Sequence, residues 1–302
     1  MCSDALTTSR RMSDGVRVAI ASGKGGTGKT TVATGLAHLL ARCGVPTTYA
    51  DCDVEEPNGR IFLEPRIDDT HPVLATTPVI DGSRCTNCGR CCDVCRFNAL
   101  AHLPDRVLVF PELCHSCGAC SLLCPEGAIS EEPRRLGEIN RGTAADIGLG
   151  FVEGRLDVGE PHAVPVIRAV RGELTGDGVA ILDAPPGASC PVVETLRGAD
   201  LVVLVTEPTP FGLSDLEQAV GVVRAVAGEA VVVMNRTGMT EEGDAAATRL
   251  CEREELPVIA SIPENREVAA CCARGGMPVI AVKGYAERLQ PIVKLVQERL
   301  AT

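Results

Sequence analysis

An α/β fold built around a parallel sheet, with a small cysteine-rich module set into it, is what this sequence predicts. Three observations carry that expectation. Short apolar, β-branched runs alternate with helical patterns along most of the chain. The first run leads into a glycine-rich loop and then a helical pattern. Nine of the sixteen cysteines crowd between Cys85 and Cys124. The 302 residues suit one large domain or two smaller ones, and 45% hydrophobic residues with a mean hydropathy of +0.14 exclude wholesale disorder. With 29 basic and 40 acidic side chains the net charge is −11, and there are no Trp, two Tyr and five Phe. That balance argues against nucleic acid as a partner, since nucleic acid needs basic surface and usually aromatic stacking. The first 17 residues hold no leader-like apolar run and no stretch is long enough to span a membrane, so a cytoplasmic location without a stable membrane anchor is expected. Thiols stay reduced there, which makes metal binding a better explanation for the cysteines than disulfides.

The predicted elements follow in order. Residues 16–22 read as a strand, and Gly23-Lys24-Gly25-Gly26-Thr27-Gly28-Lys29-Thr30-Thr31 opens a helix of about a dozen residues. In that context G-x4-G-K-T is a phosphate site: backbone N–H groups and the helix N-terminus face the anion, Lys29 meets the β- and γ-phosphates, and the Thr30 hydroxyl sits on Mg²⁺. Residues 47–50 form a second strand that ends in Asp51-Cys52-Asp53. Residues 179–182 form another, ending in Asp183-Ala184-Pro185-Pro186-Gly187. Both deliver carboxylates to strand C-terminal ends, where open parallel sheets bind ligands; capping of the following helix is the competing explanation for each. Strands at 201–206, 230–235 and 257–262 alternate with helices near 213–226, 242–254 and 266–274. The apolar residues Ile292, Val293, Leu295, Val296 and Leu300 make a last helix a packing element, because no basic cluster accompanies them to attract anionic lipid.

Between these halves lies an internal duplication. Cys85, Cys88, Cys91 and Cys95 recur 29 residues later as Cys114, Cys117, Cys120 and Cys124, and Gly89/Gly118 and Ala99/Ala128 keep the offset. Each half reads C-x2-C-x2-C-x3-C, a spacing that wraps three thiolates around one iron–sulfur cubane and sends the fourth to its neighbour. The expected sets are therefore crossed: Cys85, Cys88, Cys91 and Cys124 for one [4Fe-4S] cluster, Cys114, Cys117, Cys120 and Cys95 for the other. Zinc knuckles also use C-x2-C pairs, but a zinc site takes four ligands and the three-plus-one pattern repeated here favours clusters. Cys92 is out of register and reads as a spectator, His115 as a loop residue, and 108–110 as a short apolar strand that shields the clusters. The pattern resembles a bacterial two-cluster ferredoxin, departing from it where Arg96 rather than proline follows Cys95.

The remainder resembles the MinD/Mrp/nitrogenase-iron-protein class of deviant P-loop, SIMIBI-like ATPases, on K-G-G-T-G-K-T, D-x-D and D-x-P-P-G. That resemblance implies an ATP-dependent homodimer in which Lys24 reaches the partner's nucleotide. It implies that Asp51 and Asp53 belong to a first switch that handles Mg²⁺-bound or attacking water. Asp183 would open a second switch linked to Mg²⁺, with Gly187 free to turn its N–H toward the γ-phosphate, and Asn235 and Arg236 would read adenine. Cys190 resembles a cysteine that ligates a dimer-shared cluster in the nitrogenase iron protein. Burial in the core is the plainer expectation for it, and Cys43, Cys52, Cys251, Cys271 and Cys272 remain unplaced. The organisation expected is a P-loop ATPase domain from 14–75 and 134–302 with a small α+β ferredoxin domain at 76–133, inserted after the second strand.

Two functions fit. ATP turnover could gate electron transfer through the clusters to a redox partner protein, or the ATPase could assemble and deliver clusters to an apo iron–sulfur protein. Permanent eight-cysteine ligation favours the first, because a cargo cluster should be loosely held; a redox-sensing ATPase is a weaker third reading. If both repeats hold clusters, reconstituted protein is expected to carry about eight irons per chain. Replacing Cys91 should remove one cluster and replacing Cys92 should leave the iron count unchanged; equal losses would break the register argument.

Overall fold

The computed structural model describes residues 15–174 and 178–301. The stretch before residue 15, which includes most of the segment read for a leader and the first residue of the expected ATPase domain, lies outside the described residues, as does residue 302.

A nine-stranded sheet organises the chain. Strand β1 (Val16–Ala21) runs into the glycine loop and helix α1 (Lys29–Arg42), followed by β2 (Thr47–Asp51) and the short α2 (Gly59–Leu63). Strand β3 (Arg66–Ile80) leads to the cysteine-rich segment, which contains α3 (Arg90–Val94), β4 (Leu100–His102), β5 (Val107–Val109) and α4 (Ala119–Leu122). The chain returns through β6 (Ile129–Ala144), β7 (Leu149–Leu156) and α5 (Ala163–Gly172). It then alternates regularly through β8 (Val179–Asp183), α6 (Cys190–Leu196), β9 (Leu201–Thr206), α7 (Pro210–Val226), β10 (Ala230–Thr237), α8 (Glu241–Arg253), β11 (Val258–Pro263), α9 (Arg266–Cys272), α10 (Pro278–Ala281) and α11 (Tyr285–Leu300).

The sheet order is β11-β10-β9-β1-β8-β2-β7-β6-β3. Seven strands from β11 to β7 are parallel, and their apolar runs suit burial on both faces; every residue of β9 is buried. Two hydrophobic cores flank them. One joins α1, α10 and α11 to one face, and the other joins α5, α6, α7 and α8 to the opposite face. The apolar face of α11, with Leu289, Ile292, Val293 and Val296 buried, packs into the first core despite Pro291 within the helix. Among the described residues no helix is long and apolar enough to cross a membrane.

Two corrections to the sequence reading emerge. The sheet is mixed, because β6 pairs antiparallel with both β7 and β3; only a short turn at 145–148 joins β6 to β7, too little chain for a parallel crossover. The cysteine-rich segment does not follow the second strand but sits at the far end of the β3–β6 ladder. The expected boundaries fall inside that ladder, where Ala75 faces Arg134 and Thr76 faces Pro133, and pairing continues to Ile80 opposite Ile129. Strands β3, β6 and β7 and helix α5 escaped the sequence reading, since Glu-Glu-Pro-Arg-Arg and Ile-Asp-Asp-Thr lack a clean period of two. The expected strand at 108–110 is β5, one residue earlier, paired with β4.

Gly154 shows how tightly β7, α5 and the chain after β2 meet. A Cβ there would stand 2.6 Å from Val170 Cγ2, 2.7 Å from Val54 Cγ1 and 3.1 Å from Val166 Cγ1. Gly154→Ala is expected to destabilise the fold by about 1–3 kcal/mol through overpacking, read as a lower denaturant midpoint at unchanged m-value.

Candidate functional site

The adjacent strands β1, β8 and β2 end together. Their register pairs Ile20 with Asp183 and Asp183 with Asp51, so two carboxylates arrive side by side where the glycine loop leaves β1. Neither is open to solvent: Asp183 is 0% exposed and Asp51 1%. Burying such a pair demands partners, and the chain supplies them. Lys29, at the start of α1, places Nζ 2.8 Å from Asp183 Oδ1. Tyr49 donates its hydroxyl to Asp183 Oδ2 at 2.9 Å and lies 3.4 Å from Asp51 Oδ2. Asp51 also accepts from the backbone N–H groups of Asp53, Asn58 and Gly59 at 3.2, 3.1 and 2.9 Å. A side chain on Gly59 would bring its Cβ to 2.3 Å from the Tyr49 hydroxyl, so this approach requires glycine.

These contacts set the charges. Burial, then the neighbouring Asp183, pushes the Asp51 carboxyl well above the usual carboxylate range. Burial opposes the charge of Lys29, but Asp183 outweighs it and holds the ammonium above its ordinary value. Burial lifts Asp53 to about 6, with Lys29 pulling the other way.

In front of this buried layer opens a cleft of about 600 Å³. Lys24, Gly25, Gly26, Gly28, Lys29, Thr30 and Thr31 form one wall, and Asp53, Glu56, Asn58 and Pro186 border it from the strand ends. Gly26 and Gly28 adopt φ of +79° and +90°, conformations that L side chains rarely take. A Cβ on Gly25 or Gly26 would meet nothing within 4 Å, so bare backbone borders open space. Thr27 Oγ1 is buried without a hydrogen-bond partner among the described residues. A glycine-rich loop bordering open space, with two lysines and a helix N-terminus, fits a polyphosphate.

The structure brings most of the expected residues to this cleft but separates their roles. Asp53 borders it, whereas Asp51 and Asp183 lie behind it, with Asp51 capping the start of α2 as the competing reading foresaw. The Gly187 N–H donates to the Ser22 carbonyl at 3.0 Å, at a φ of +96°. Asn235 borders the cleft and donates Nδ2 to the Thr27 carbonyl at 2.7 Å, bracing the glycine loop; a Cβ on Gly28 would come within 2.4 Å of that nitrogen. Lys24 Nζ lies 2.5 Å from Glu207 Oε1, and Arg236 Nη1 lies 2.8 Å from Glu207 Oε2. Burial opposes ionisation of Glu207, yet these cations keep its carboxyl below the usual range. Glu207 and Tyr49 were missed by sequence reading. Glu207 directly follows the buried strand β9, the position that singled out Asp51 and Asp183, and Tyr49 shares a strand face with Asp51.

The cysteine-rich segment repeats itself in space. Gly89 and Gly118, at φ +77° and +70°, precede α3 and α4, which carry Cys91 and Cys120. The duplicated alanines gain a reason: the Ala99 N–H donates to Cys95 Sγ and the Ala128 N–H to Cys124 Sγ, both at 3.3 Å, and both alanines are 2% exposed. One cavity is lined by Cys95, Cys114, Cys117 and Cys120, a second by Cys85, Cys88, Cys91 and Cys124. Cys92 borders neither. Among the described residues no three His, Cys, Asp or Glu side chains converge closely enough to hold a single metal ion. His115 is more than a loop residue, since its ring stacks on Phe97 with centroids 3.7 Å apart. Elsewhere, Cys190 is exposed at the start of α6, which overturns the expectation of core burial. Cys52, Cys251 and Cys271 are buried, Cys272 is half-buried and Cys43 is exposed.

Known proteins resemble this chain. An uncharacterized protein of Methanocaldococcus jannaschii is 32% identical over 226 residues, covering 74% of this chain and 79% of its own. An uncharacterized ATP-binding protein of the same organism is 25% identical over 285 residues, covering 93% and 86%. The solved septum site-determining protein MinD of Pyrococcus horikoshii, complexed with Mg-ADP, superposes with a TM-score of 0.54 at 19% identity, covering 94% of this chain and 95% of that one, and shows the shared fold. Residues 18–279 match the CobQ/CobB/MinD/ParA nucleotide binding domain, and the chain belongs to that family of nucleotide-binding proteins.

Proposed function

We propose that this protein is an ATPase whose turnover gates electron transfer through two [4Fe-4S] clusters, held by a ferredoxin module carried at the end of the β3–β6 ladder between the two segments of the ATPase domain. The observation that carries this reading is that two cavities are each lined by four cysteines, in the crossed sets expected from their spacing. A cubane spreads its four thiolates over four irons, so the donors surround a cage and need not converge on a point. The clusters would supply one-electron redox centres, ligated by Cys85, Cys88, Cys91 and Cys124 and by Cys114, Cys117, Cys120 and Cys95. Every other step belongs to the chain's own residues.

At the nucleotide site the loop amides of 25–30 and Lys29 would bind the phosphates of ATP, with Thr30 holding Mg²⁺ and the buried Asp183 fixing Lys29. Asp53 borders the cleft and would orient the attacking water, while Asp51 keeps the start of α2 in register behind it. Gly187 would respond to the γ-phosphate by exchanging its bond to Ser22. Asn235 and Arg236 would face the base end. Lys24 would leave Glu207 to reach a partner subunit's nucleotide, making the active form a homodimer.

The functional test is to reduce the holoprotein anaerobically and follow electron loss to a viologen dye. ATP should change that rate. Unchanged electron loss combined with transfer of intact clusters to an apo-ferredoxin would instead support cluster delivery.

Lys29→Ala is expected to weaken nucleotide binding by about 10- to 100-fold, the loss of charge-assisted hydrogen bonds to phosphate, as measured with a fluorescent ATP analogue. Its melting temperature should also fall, because Asp183 is left buried without its cation. Lys24→Ala should bind nucleotide within a few-fold of wild type yet lose ATP-dependent dimerisation and hydrolysis. Normal dimerisation and hydrolysis in that variant would refute the crossing role.

The pH profile follows from Asp53, whose carboxyl is pushed up to about 6 by burial. It can draw a proton from the attacking water only when ionised, so kcat/KM for ATP should rise as pH increases through that value and fall below it. Asp53→Asn should remove the acid limb along with most of the activity.

A further inference from the structure

Beside the β3–β6 ladder, a second physical connection joins the cysteine-rich segment to the body of the protein. His115, between Cys114 and Cys117, meets His162 edge-on, with ring centroids 4.5 Å apart and planes at 81°. Phe97 stacks on His115, at 3.7 Å and 16°. His162 is anchored in turn: its backbone N–H donates to Glu160 Oε1 at 3.1 Å, its Nδ1 lies 2.9 Å from the same oxygen, and Arg134 pairs with Glu160 Oε2. The ring that touches the cysteine loop is therefore fixed to the body, and it is the residue preceding helix α5.

Helix α5 also contacts both chain segments that follow the site's carboxylate strands. Val166 and Val170 pack over Gly154 against Val54, the residue after Asp53, and the Leu156 N–H donates to the Val54 carbonyl at 2.8 Å. At the helix's other end Arg171 donates to the Glu194 carbonyl at 2.8 Å and to the Arg197 carbonyl, while Arg168 pairs with the Glu194 carboxylate at 3.1 Å. Glu194 lies on α6, which follows Gly187. A shift of either segment bears on α5 through close-packed or hydrogen-bonded contacts, and such interiors transmit displacement rather than absorb it.

We propose that α5, through His162, is the link by which the nucleotide site positions the Cys114–Cys117 loop, with His162 a positioning residue for the cysteine set Cys95, Cys114, Cys117 and Cys120. This rests on the reading that those cysteines hold a cluster. The set reached is the one nearer the body: its cavity is bordered by Thr76 and Pro78, whereas the other is bordered by Ile80 and Ile129 at the ladder's far end.

The test uses the full-length, anaerobically reconstituted protein with and without Mg²⁺ and a non-hydrolysable ATP analogue. Amide exchange is read on peptides covering 110–119, and the electron paramagnetic resonance of the reduced clusters is recorded alongside. In the wild type, nucleotide should change exchange at 114–118 by about five-fold or more, the scale of typical allosteric couplings. His162→Ala should lose that response while iron content and nucleotide affinity stay unchanged, and His162→Phe, which keeps the ring contact, should restore it. If His162→Ala folds poorly, Arg171→Gln, which cuts α5 from α6 but leaves its contact with Val54, should lower the nucleotide response at 114–118 with iron content unchanged, and a response equal to wild type would overturn the link. A full nucleotide response in correctly folded His162→Ala, or none in the wild type, overturns the link. Iron content separates the two failures: protein that binds no iron fails the cluster reading and the link together, and protein with full iron but an unaltered response fails the link alone.

Discussion

Everything at the nucleotide site depends on holding Asp51, Asp183 and Lys29 in the dry interior at the ends of β2, β8 and the glycine loop. Two carboxylates in adjacent strand register repel one another, and burial magnifies that repulsion. The arrangement persists because each oxygen is answered: Lys29 and Tyr49 on Asp183, three backbone amides on Asp51. Tyr49 is itself fixed by its stack on Phe151, with ring centroids 5.8 Å apart, and by the bare face of Gly59. The loop that borders the cleft is thereby tied through Lys29 to the same buried layer that orders the start of α2. The glycine loop and the chain after Asp53 are therefore mechanically joined.

A second cation–anion group sits at the end of β9, where Glu207 holds Lys24 and Arg236 together. Lys24 is 29% exposed there and Glu207 8%, so the pair is shielded on the carboxylate side and open on the lysine side. Arg236 shares that carboxylate, so two cations balance the charge of Glu207.

The cysteine-rich segment is carried on paired strands of the main sheet. Fourteen register pairs between β3 and β6 run from Arg66 opposite Thr143 to Ile80 opposite Ile129, so the module's base is continuous with the sheet that ends beside the cleft. Hydrogen-bonded strand pairing of this kind fixes orientation far better than a flexible linker would. The contact between His115 and His162 adds a point of attachment away from the ladder axis.

Much of this was legible in the chain itself. The alternation of apolar runs and helical patterns located β1, β2, β8, β9, β10 and β11 to within about two residues, because strands inside a covered parallel sheet are rich in buried apolar residues, as β1 and β9 are. The 29-residue offset picked out both the cysteine sets and the alanines whose amides reach their sulfurs, since a duplicated backbone demands duplicated small residues. Local pattern could not reveal β3, β6 and β7, whose charged and proline-bearing stretches are strands only because they pair with one another at the sheet's edge. Nor could it separate Asp53 on the cleft from Asp51 behind it, two residues apart on one strand end. Chain order determined which chemical groups this protein possesses and their spacing along each element. The tertiary structure alone decided which of them meet, because burial, ion pairing and side-chain contact are set by residues more than a hundred positions distant, as Lys29 with Asp183 and Lys24 with Glu207 both are.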